Sequence, residues 1–148
     1  MSFDYDIDFD KTDFREQPEL YRVGRGEQGV LLVEPYKSEI LPYWRFKTPD
    51  IAKESSDKIY QLFLDYKEND DFVGMDMARK FLQMGYTRSR RYANYKGGKK
   101  YDEDGEINDR DIDEVKAKSA EIFEEKWIKA REDEEYLKKK KDHQKKYG

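Results

Sequence analysis

The spacing of apolar residues changes along the chain, and this change most constrains the fold. In the first ten residues, aspartates alternate with the apolar side chains of Phe3, Tyr5, Ile7 and Phe9. A period of two is typical of a half-buried strand. Residues 21–33 indicate two further short strands around a glycine-rich turn. Residues 38–46 predict an edge strand or a loop, because Pro42 cannot donate a backbone N–H to a sheet.

From residue 48 onwards, the apolar residues recur at helical spacing. Thr48, Pro49 and Asp50 have the residue types of a helix N-cap, a first-turn proline and a first-turn acid. A second helix is predicted over residues 71–84, and Gly85 is the residue type that commonly ends a helix.

The remaining helices complete a predicted α+β fold. A third, shorter helix is predicted to begin at Thr87, and a long C-terminal helix to run from residue 113 to about residue 130. Runs of strands followed by runs of helices favour a small N-terminal antiparallel sheet packed against three to four helices. We predict one such domain over residues 1–137 and a lysine-rich C-terminal tail over residues 138–148.

Composition excludes several kinds of site. The chain of 148 residues contains no cysteine, which excludes disulfides, thiolate metal sites and a cysteine nucleophile. The single histidine, His143, leaves little from which to build a histidine metal site or a Ser-His-Asp triad. We therefore predict no catalytic residue, no metal and no cofactor.

The N-terminus and the hydropathy pattern bear on location. The first residues are acidic and do not resemble a secretory signal peptide. No apolar run approaches the roughly 20 residues that span a bilayer. The expectation is a cytoplasmic protein without a membrane partner.

One basic segment stands out from an acidic chain. Residues 77–101 contain eight Lys or Arg and no Asp or Glu, whereas the formal net charge of the whole chain is −4. Five aromatic residues lie among these cations, and this mixture suits nucleic acid, whose phosphates attract cations and whose bases stack on rings. The residues predicted to contact nucleic acid are Arg79, Arg88, Arg90, Arg91, Tyr92, Tyr95, Lys96, Lys99 and Lys100.

Other interpretations of this segment remain open. The arginines could form ordinary ion pairs with the acidic remainder of the chain while the tyrosines fill the core. A helix, a glycine turn and an arginine-rich helix also resemble a helix-turn-helix DNA reader. However, Phe81 stands where that motif usually needs a small residue for close helix packing.

Two shorter motifs are weaker. Residues 24–29 match the G-x-G-x-x-G pattern of dinucleotide sites, but a predicted strand follows where that site needs a helix. A hairpin loop explains the glycines, and Arg25 at its tip is a candidate anion contact. Residues 102–105 resemble a calcium loop, yet the glycine is at position 4 rather than position 6.

Two long strings carry a resemblance to a known family. PELYRVGRGEQGVLLVEPYKSEILPYWRF (residues 18–46) and FVGMDMARKFLQMGYTRSRRYAN (residues 72–94) resemble a domain of unknown function found in small bacterial proteins and in large tailed phages. The likeness extends from the FDYDIDFD start to residues 126–131. It implies one intact domain and a cytoplasmic setting, including that of an infected host cell, and it implies no catalytic residue.

These observations favour a non-catalytic accessory protein that binds RNA or single-stranded DNA through residues 77–101. An alternative is a protein-interaction module for a host or phage partner. A third hypothesis is an enzyme that acts on a phosphorylated small molecule, which would require Arg25 and the arginines of residues 88–91 to converge with a carboxylate in a concavity.

Overall fold

The fold is helical. A computed structural model describes residues 3–94 and 113–148. Its five α-helices, in chain order, are α1 Tyr36–Ile40, α2 Pro49–Glu68, α3 Phe72–Asn94, α4 Glu114–Arg131 and α5 Glu134–Tyr147. Short 3-10 turns occupy Pro18–Leu20 and Leu41–Tyr43. Neither described range contains a β-strand, so the predicted α+β fold with an N-terminal antiparallel sheet is wrong.

The alternating N-terminal pattern forms turns instead of a strand. Phe3 is only 5% exposed whereas Tyr5 is 57% exposed, so the apolar positions do not share one buried face. Side-chain carboxylates bind nearby backbone N–H groups, as Asp4 does at Asp6 and Asp13 at Arg15, with N···O distances of 2.9 Å. Such local bonds give the backbone an alternative to a sheet ladder.

The glycine-rich loop, residues 24–29, is held by α3 and not by a neighbouring strand. The carbonyl oxygen of Gly26 accepts from Arg79, and that of Gln28 accepts from the Lys80 ammonium at 2.7 Å. Gly29 has a φ of +78°, and a Cβ there would overlap the ring of Phe3. The two strands predicted over residues 21–33 are wrong: residues 25–32 form successive turns, in which the N–H groups of Gln28, Val30 and Leu32 each donate to the carbonyl oxygen three residues earlier.

The edge strand or loop predicted over residues 38–46 is replaced by helical structure over residues 38–43, and residues 44–46 form a loop. α1 leads directly into the 3-10 turn Leu41–Tyr43, which tolerates Pro42 near its start. The Trp44 indole then donates to the carbonyl oxygen of Phe81 at 3.0 Å, which fixes the segment against α3.

The predicted start of α2 is confirmed. The Thr48 hydroxyl accepts from the Ile51 N–H, and Pro49 begins the helix. Asp50 lies in the first turn, where a carboxylate is favourable at the positive end of the helix dipole. α2 buries Ile59 and Phe63 against the rest of the core.

α3 does not stop at Gly85 but continues to Asn94 as one helix. The glycine serves helix packing, because a Cβ at this position would overlap the ring of Phe123 on α4. The separate third helix predicted from Thr87 is therefore wrong, and with it the helix-turn-helix interpretation. Glycine inside a helix costs about 1 kcal/mol relative to alanine, and here it permits close approach of α4.

The long C-terminal helix predicted from residue 113 to about residue 130 corresponds to α4, and a further helix, α5, follows it. Asp113 caps α4, and its carboxylate accepts from the N–H of Val115 at 3.0 Å. α4 ends at Arg131, and Asp133 caps α5 in the same way. The lysine-rich residues 138–148 thus belong mostly to α5, while the proposed domain boundary after residue 137 stays a prediction.

Only two residues of α5 are buried, namely Tyr136 and His143, which lie seven positions apart. His143 Nε2 lies 2.7 Å from the carbonyl oxygen of Tyr21, and the imidazole packs against Phe72. In the ranges that the structure covers, no helix is both long enough and apolar enough to cross a membrane.

Candidate nucleic-acid interface

The N-terminal part of α3 carries a buried charged cluster. We call Asp76, Arg79, Lys80, Tyr21 and Tyr136 the buried network. Asp76 is completely buried; Tyr136 donates to its Oδ1 at 2.6 Å and Tyr21 donates to its Oδ2. Burial opposes ionisation of Asp76, but the charges of Arg79 and Lys80 and the two tyrosine hydroxyls outweigh it and lower its pKa to about 2.

Arg79 belongs to this network and not to an exposed basic surface. Its side chain is 7% exposed, and its guanidinium pairs with Asp76 at 2.6 Å. It also donates to the Tyr136 hydroxyl and to the Gln83 side chain. The guanidinium is thus already surrounded by protein acceptors, and we leave Arg79 out of the candidate interface.

Lys80 is fully buried beside Arg79. Its ammonium lies 3.8 Å from Asp76 Oδ2, and 4.9 Å and 5.1 Å from the ring centroids of Tyr21 and Phe3. Burial lowers the pKa of Lys80 to about 8, although the nearby Asp76 carboxylate works in the opposite direction. Because two buried cations face one carboxylate, the stability of the buried network depends on the charge of Asp76.

The C-terminal part of α3 holds its cations differently. Ser89 and Ala93 are buried, so the opposite face of the helix points outward. This face, which we call the arginine face of α3, exposes Arg88, Arg91 and Tyr92, which are neighbours at i, i+3 and i+4. Arg90 is exposed as well. None of these three arginines forms an ion pair with a carboxylate of residues 3–94 or 113–148.

One carboxylate approaches this face without a direct ion pair. Glu27 of the glycine-rich loop is half-buried, and Thr87 donates to its carboxylate at 3.2 Å. Burial raises the pKa of Glu27, while the Thr87 hydroxyl and the charges of Arg88 and Arg91 act against that shift. Glu27 therefore reduces the positive potential of the face.

A cleft lies next to Tyr92. It has a volume of about 430 Å³, and its lining residues are Arg45, Phe46, Lys47, Ile51, Tyr92 and Lys116. The described residues of the lining comprise three cations and no carboxylate. The Phe46 and Tyr92 ring centroids are 6.0 Å apart, and Tyr92 is 41% exposed. We call this cleft the basic-aromatic cleft; through Tyr92 it is continuous with the arginine face of α3.

The walls of the basic-aromatic cleft are fixed by backbone contacts. Arg45 donates its N–H to the Ser55 hydroxyl at 3.0 Å, and Ser55 donates in turn to the carbonyl oxygen of Tyr43 at 2.6 Å. From α4, Lys116 donates to the carbonyl oxygen of Lys47 at 2.7 Å. The segment before α2 and the start of α4 are therefore held in place on either side of the cleft.

Among the described residues that line this cleft, only Tyr92 belongs to the predicted contact residues. Arg45, Phe46 and Lys47 form a short basic-aromatic string that is visible in the sequence, but they lie within the run whose proline predicts an edge strand or a loop. No sequence pattern links Lys116 to this cleft, because only the packing of α4 brings it beside residues 45–47.

The other predicted contact residues are placed as follows. Arg25 is exposed in the glycine-rich loop. Tyr95, Lys96, Lys99 and Lys100 lie outside the described residues, and so does the calcium-like motif at residues 102–105. Over residues 3–94 and 113–148, no group of three or more histidine, aspartate or glutamate side chains is placed to hold a metal ion.

A larger cleft lies at the opposite end of α3. It has a volume of about 780 Å³, and its lining includes Arg15, Asp71, His143 and Lys146. Two of its charged groups are already paired within the protein: Arg15 donates to Glu39 through two nitrogens, at 2.7 Å and 2.9 Å, and Tyr36 donates to Asp71. This cleft mixes both signs of charge and does not resemble a phosphate site.

Comparison with known proteins gives the family. No curated protein and no solved structure matches the chain. The sequence of residues 4–146 matches the family described as Domain of unknown function (DUF4385). This confirms the resemblance to a family of unknown function, while its occurrence in bacteria and tailed phages stays a prediction. Since the match covers nearly the whole chain and includes the cleft and α5, the protein belongs to the DUF4385 family.

Proposed function

We propose that this protein binds single-stranded nucleic acid, without catalysis, through the basic-aromatic cleft and the adjoining arginine face of α3. The observation that carries the proposal is the composition of the cleft: Arg45, Lys47 and Lys116 lie there with two aromatic rings, and no carboxylate lines it within residues 3–94 and 113–148. In a chain with a formal net charge of −4, such a surface selects anions that also carry rings.

The geometry supports single strands over a duplex. Tyr92 presents an exposed ring face, and a base can stack on it only when the base is not paired inside a helix. Arg88 and Arg91 lie one helical turn apart on the same face as Tyr92, where their guanidinium groups suit bidentate contacts with successive phosphates. A base would therefore occupy the cleft while the backbone of the strand follows α3.

Fluorescence polarisation with labelled single-stranded RNA, single-stranded DNA and duplex DNA across a salt series tests the proposal. The wild type is compared with a variant carrying Arg88→Ala, Arg90→Ala and Arg91→Ala. For a single strand, each phosphate contact contributes about 0.7 to the logarithmic salt slope, so losing three contacts should reduce the slope by about 2.

A matched control has the same change of charge elsewhere. Lys138, Lys141 and Lys145 are exposed on α5, which packs near the other end of α3. Their triple alanine variant should keep most of the binding. If the wild type shows no salt-sensitive binding, or if both triple variants weaken binding equally, the proposed interface is wrong.

The hypothesis of an enzyme acting on a phosphorylated molecule has less support. It required Arg25 and the arginines of residues 88–91 to converge with a carboxylate in a concavity. The cations that line the basic-aromatic cleft are instead Arg45, Lys47 and Lys116, and the part of the chain that the structure describes adds no carboxylate to them. The protein-interaction hypothesis stays a prediction.

A further inference from the structure

The size of the basic-aromatic cleft bears on how much of a strand it can hold. Small-molecule sites generally have volumes of about 300–1,000 Å³. The cleft, at about 430 Å³, is near the lower end of that range. It can accommodate a ligand of the size of one nucleotide, but not several consecutive nucleotides of a strand.

The ring geometry determines where a base can lie. Phe46 and Tyr92 already contact each other, with ring centroids 6.0 Å apart and planes inclined by 39°. A base therefore cannot insert between them, and it must stack on the exposed face of Tyr92. Ile51 supplies an apolar contact in the same cleft. One base on one aromatic face is the arrangement that fits these rings.

The cations are positioned for a phosphate attached to that base. Lys116 uses one of its three N–H donors on the carbonyl oxygen of Lys47, and this bond holds the ammonium at the cleft. Arg45 is anchored to Ser55 on α2 through its backbone N–H, and its side chain is exposed at the cleft. Because the backbone of Arg45 and the ammonium of Lys116 are held before a ligand arrives, the ordering needed on binding is reduced.

We propose that the basic-aromatic cleft is a pocket for one phosphorylated nucleoside, with the base on Tyr92 and the phosphate among Arg45, Lys47 and Lys116. This inference rests on the proposed function and adds its unit of recognition. The nucleotide can be a free mononucleotide or the terminal nucleotide of a strand, since both present one base and one accessible phosphate.

Isothermal titration of the full chain with AMP, adenosine and ribose 5-phosphate tests the pocket. AMP should bind more tightly than either fragment, because only AMP uses both the ring and the cations. Tyr92→Leu removes the stacking face and should weaken AMP binding by about 5- to 150-fold, the range corresponding to about 1–3 kcal/mol per stacked base. Lys116→Gln, a second variant outside α3, should weaken AMP and ribose 5-phosphate but leave adenosine unchanged.

Competition experiments separate this inference from the proposed function and identify the source of the nucleotide. AMP should displace a short labelled single-stranded RNA, and RNA with a 5′-terminal phosphate should bind more tightly than RNA with a 5′-hydroxyl if strand ends are the ligand. Equal binding of the two RNAs with displacement by AMP assigns the pocket to free mononucleotides. RNA binding that AMP does not affect would show that the nucleotide pocket is wrong, while the proposed function stands. Binding of AMP without any binding of RNA would show that the proposed function is wrong, while the nucleotide pocket stands.

Discussion

The two ends of α3 hold cations in opposite environments. At the N-terminal end, Arg79 and Lys80 are buried against Asp76 and donate to carbonyl groups of the glycine-rich loop. At the C-terminal end, Arg88 and Arg91 are exposed beside an open cleft. One continuous basic run in the sequence therefore contains cations that stabilise the fold and cations available to a ligand.

The largest expected effect comes from removing the anion of the buried network. Asp76→Asn leaves Arg79 and Lys80 buried without a carboxylate, and breaking a buried ion pair in this way costs about 3–5 kcal/mol. We expect a loss of that size in the free energy of unfolding, measured by chemical denaturation.

Two controls sharpen this prediction. Lys80→Met leaves one cation and one anion in the network, so it should cost less than Asp76→Asn. Arg88→Ala changes an exposed side chain and should stay within about 0.5 kcal/mol of the wild type. If Asp76→Asn and Arg88→Ala have equal effects on stability, the contrast between the two ends of α3 is wrong.

Gly85 lies between the two ends and tests the continuity of α3. Alanine in a helix interior ordinarily stabilises by about 1 kcal/mol relative to glycine. At this position the new methyl would meet the ring of Phe123, and overpacking costs about 1–3 kcal/mol. We expect Gly85→Ala to destabilise the protein in thermal unfolding.

A double-mutant cycle identifies the cause. Phe123→Ala creates space that the methyl of Gly85→Ala can occupy, so the loss in the double variant should be smaller than the sum of the single losses. Additive losses would argue against the close approach of α3 and α4 at this glycine.

The next prediction concerns the attachment of α5 over the buried end of α3. Burial lowers the pKa of His143 below its ordinary value of 6.5, although the hydrogen bond to the Tyr21 carbonyl acts in the other direction. In the unfolded chain the imidazole binds a proton more readily, so stability should fall as the pH drops from about 6.5 through the lowered pKa.

Thermal unfolding between pH 7.5 and pH 5 measures this pH-dependent contribution to stability when the wild type is compared with His143→Gln. We expect the wild type to lose more stability than the variant across the interval, and the difference to be smaller than the effect of Asp76→Asn. Parallel pH profiles for the two proteins would show that His143 does not contribute through its titration.

The smallest expected effect concerns the exposed end. Glu27 lowers the positive potential near Arg88 and Arg91, and a charge interaction in a partly exposed setting is worth about 0.2–1 kcal/mol. Glu27→Gln should therefore strengthen binding of single-stranded RNA by up to about 5-fold at low salt, measured by fluorescence polarisation. Unchanged or weaker binding would indicate that the ligand does not approach this face.

The helices that the sequence predicted well are those with local signals. Thr48 and Asp113 cap α2 and α4 with their own side chains, so short stretches of sequence were sufficient to locate these starts. The errors arose where distant contacts decide. Gly85 has the residue type of a helix stop, and only the ring of Phe123 on another helix shows why the glycine lies within α3.

The strands predicted in the N-terminal region are wrong for the same reason. The alternation around Phe3 is compatible with a strand, yet in the described residues this segment forms turns, and the ring of Phe3 packs against the distant Gly29. The candidate site was partly predictable: Arg88, Arg91 and Tyr92 were identified from the basic run, whereas Lys116 joins the cleft only through the packing of α4.

The contact between Phe3 and Gly29 has a consequence for sequence variation within the family. The ring at position 3 occupies the space that any side chain at position 29 would need, so the two positions cannot both be large. Relatives that replace this glycine should therefore carry a smaller residue in place of the phenylalanine, giving a covarying pair separated by more than twenty positions in the chain. Such a pair would trace the path of the N-terminal segment over the loop in proteins for which only sequences are known.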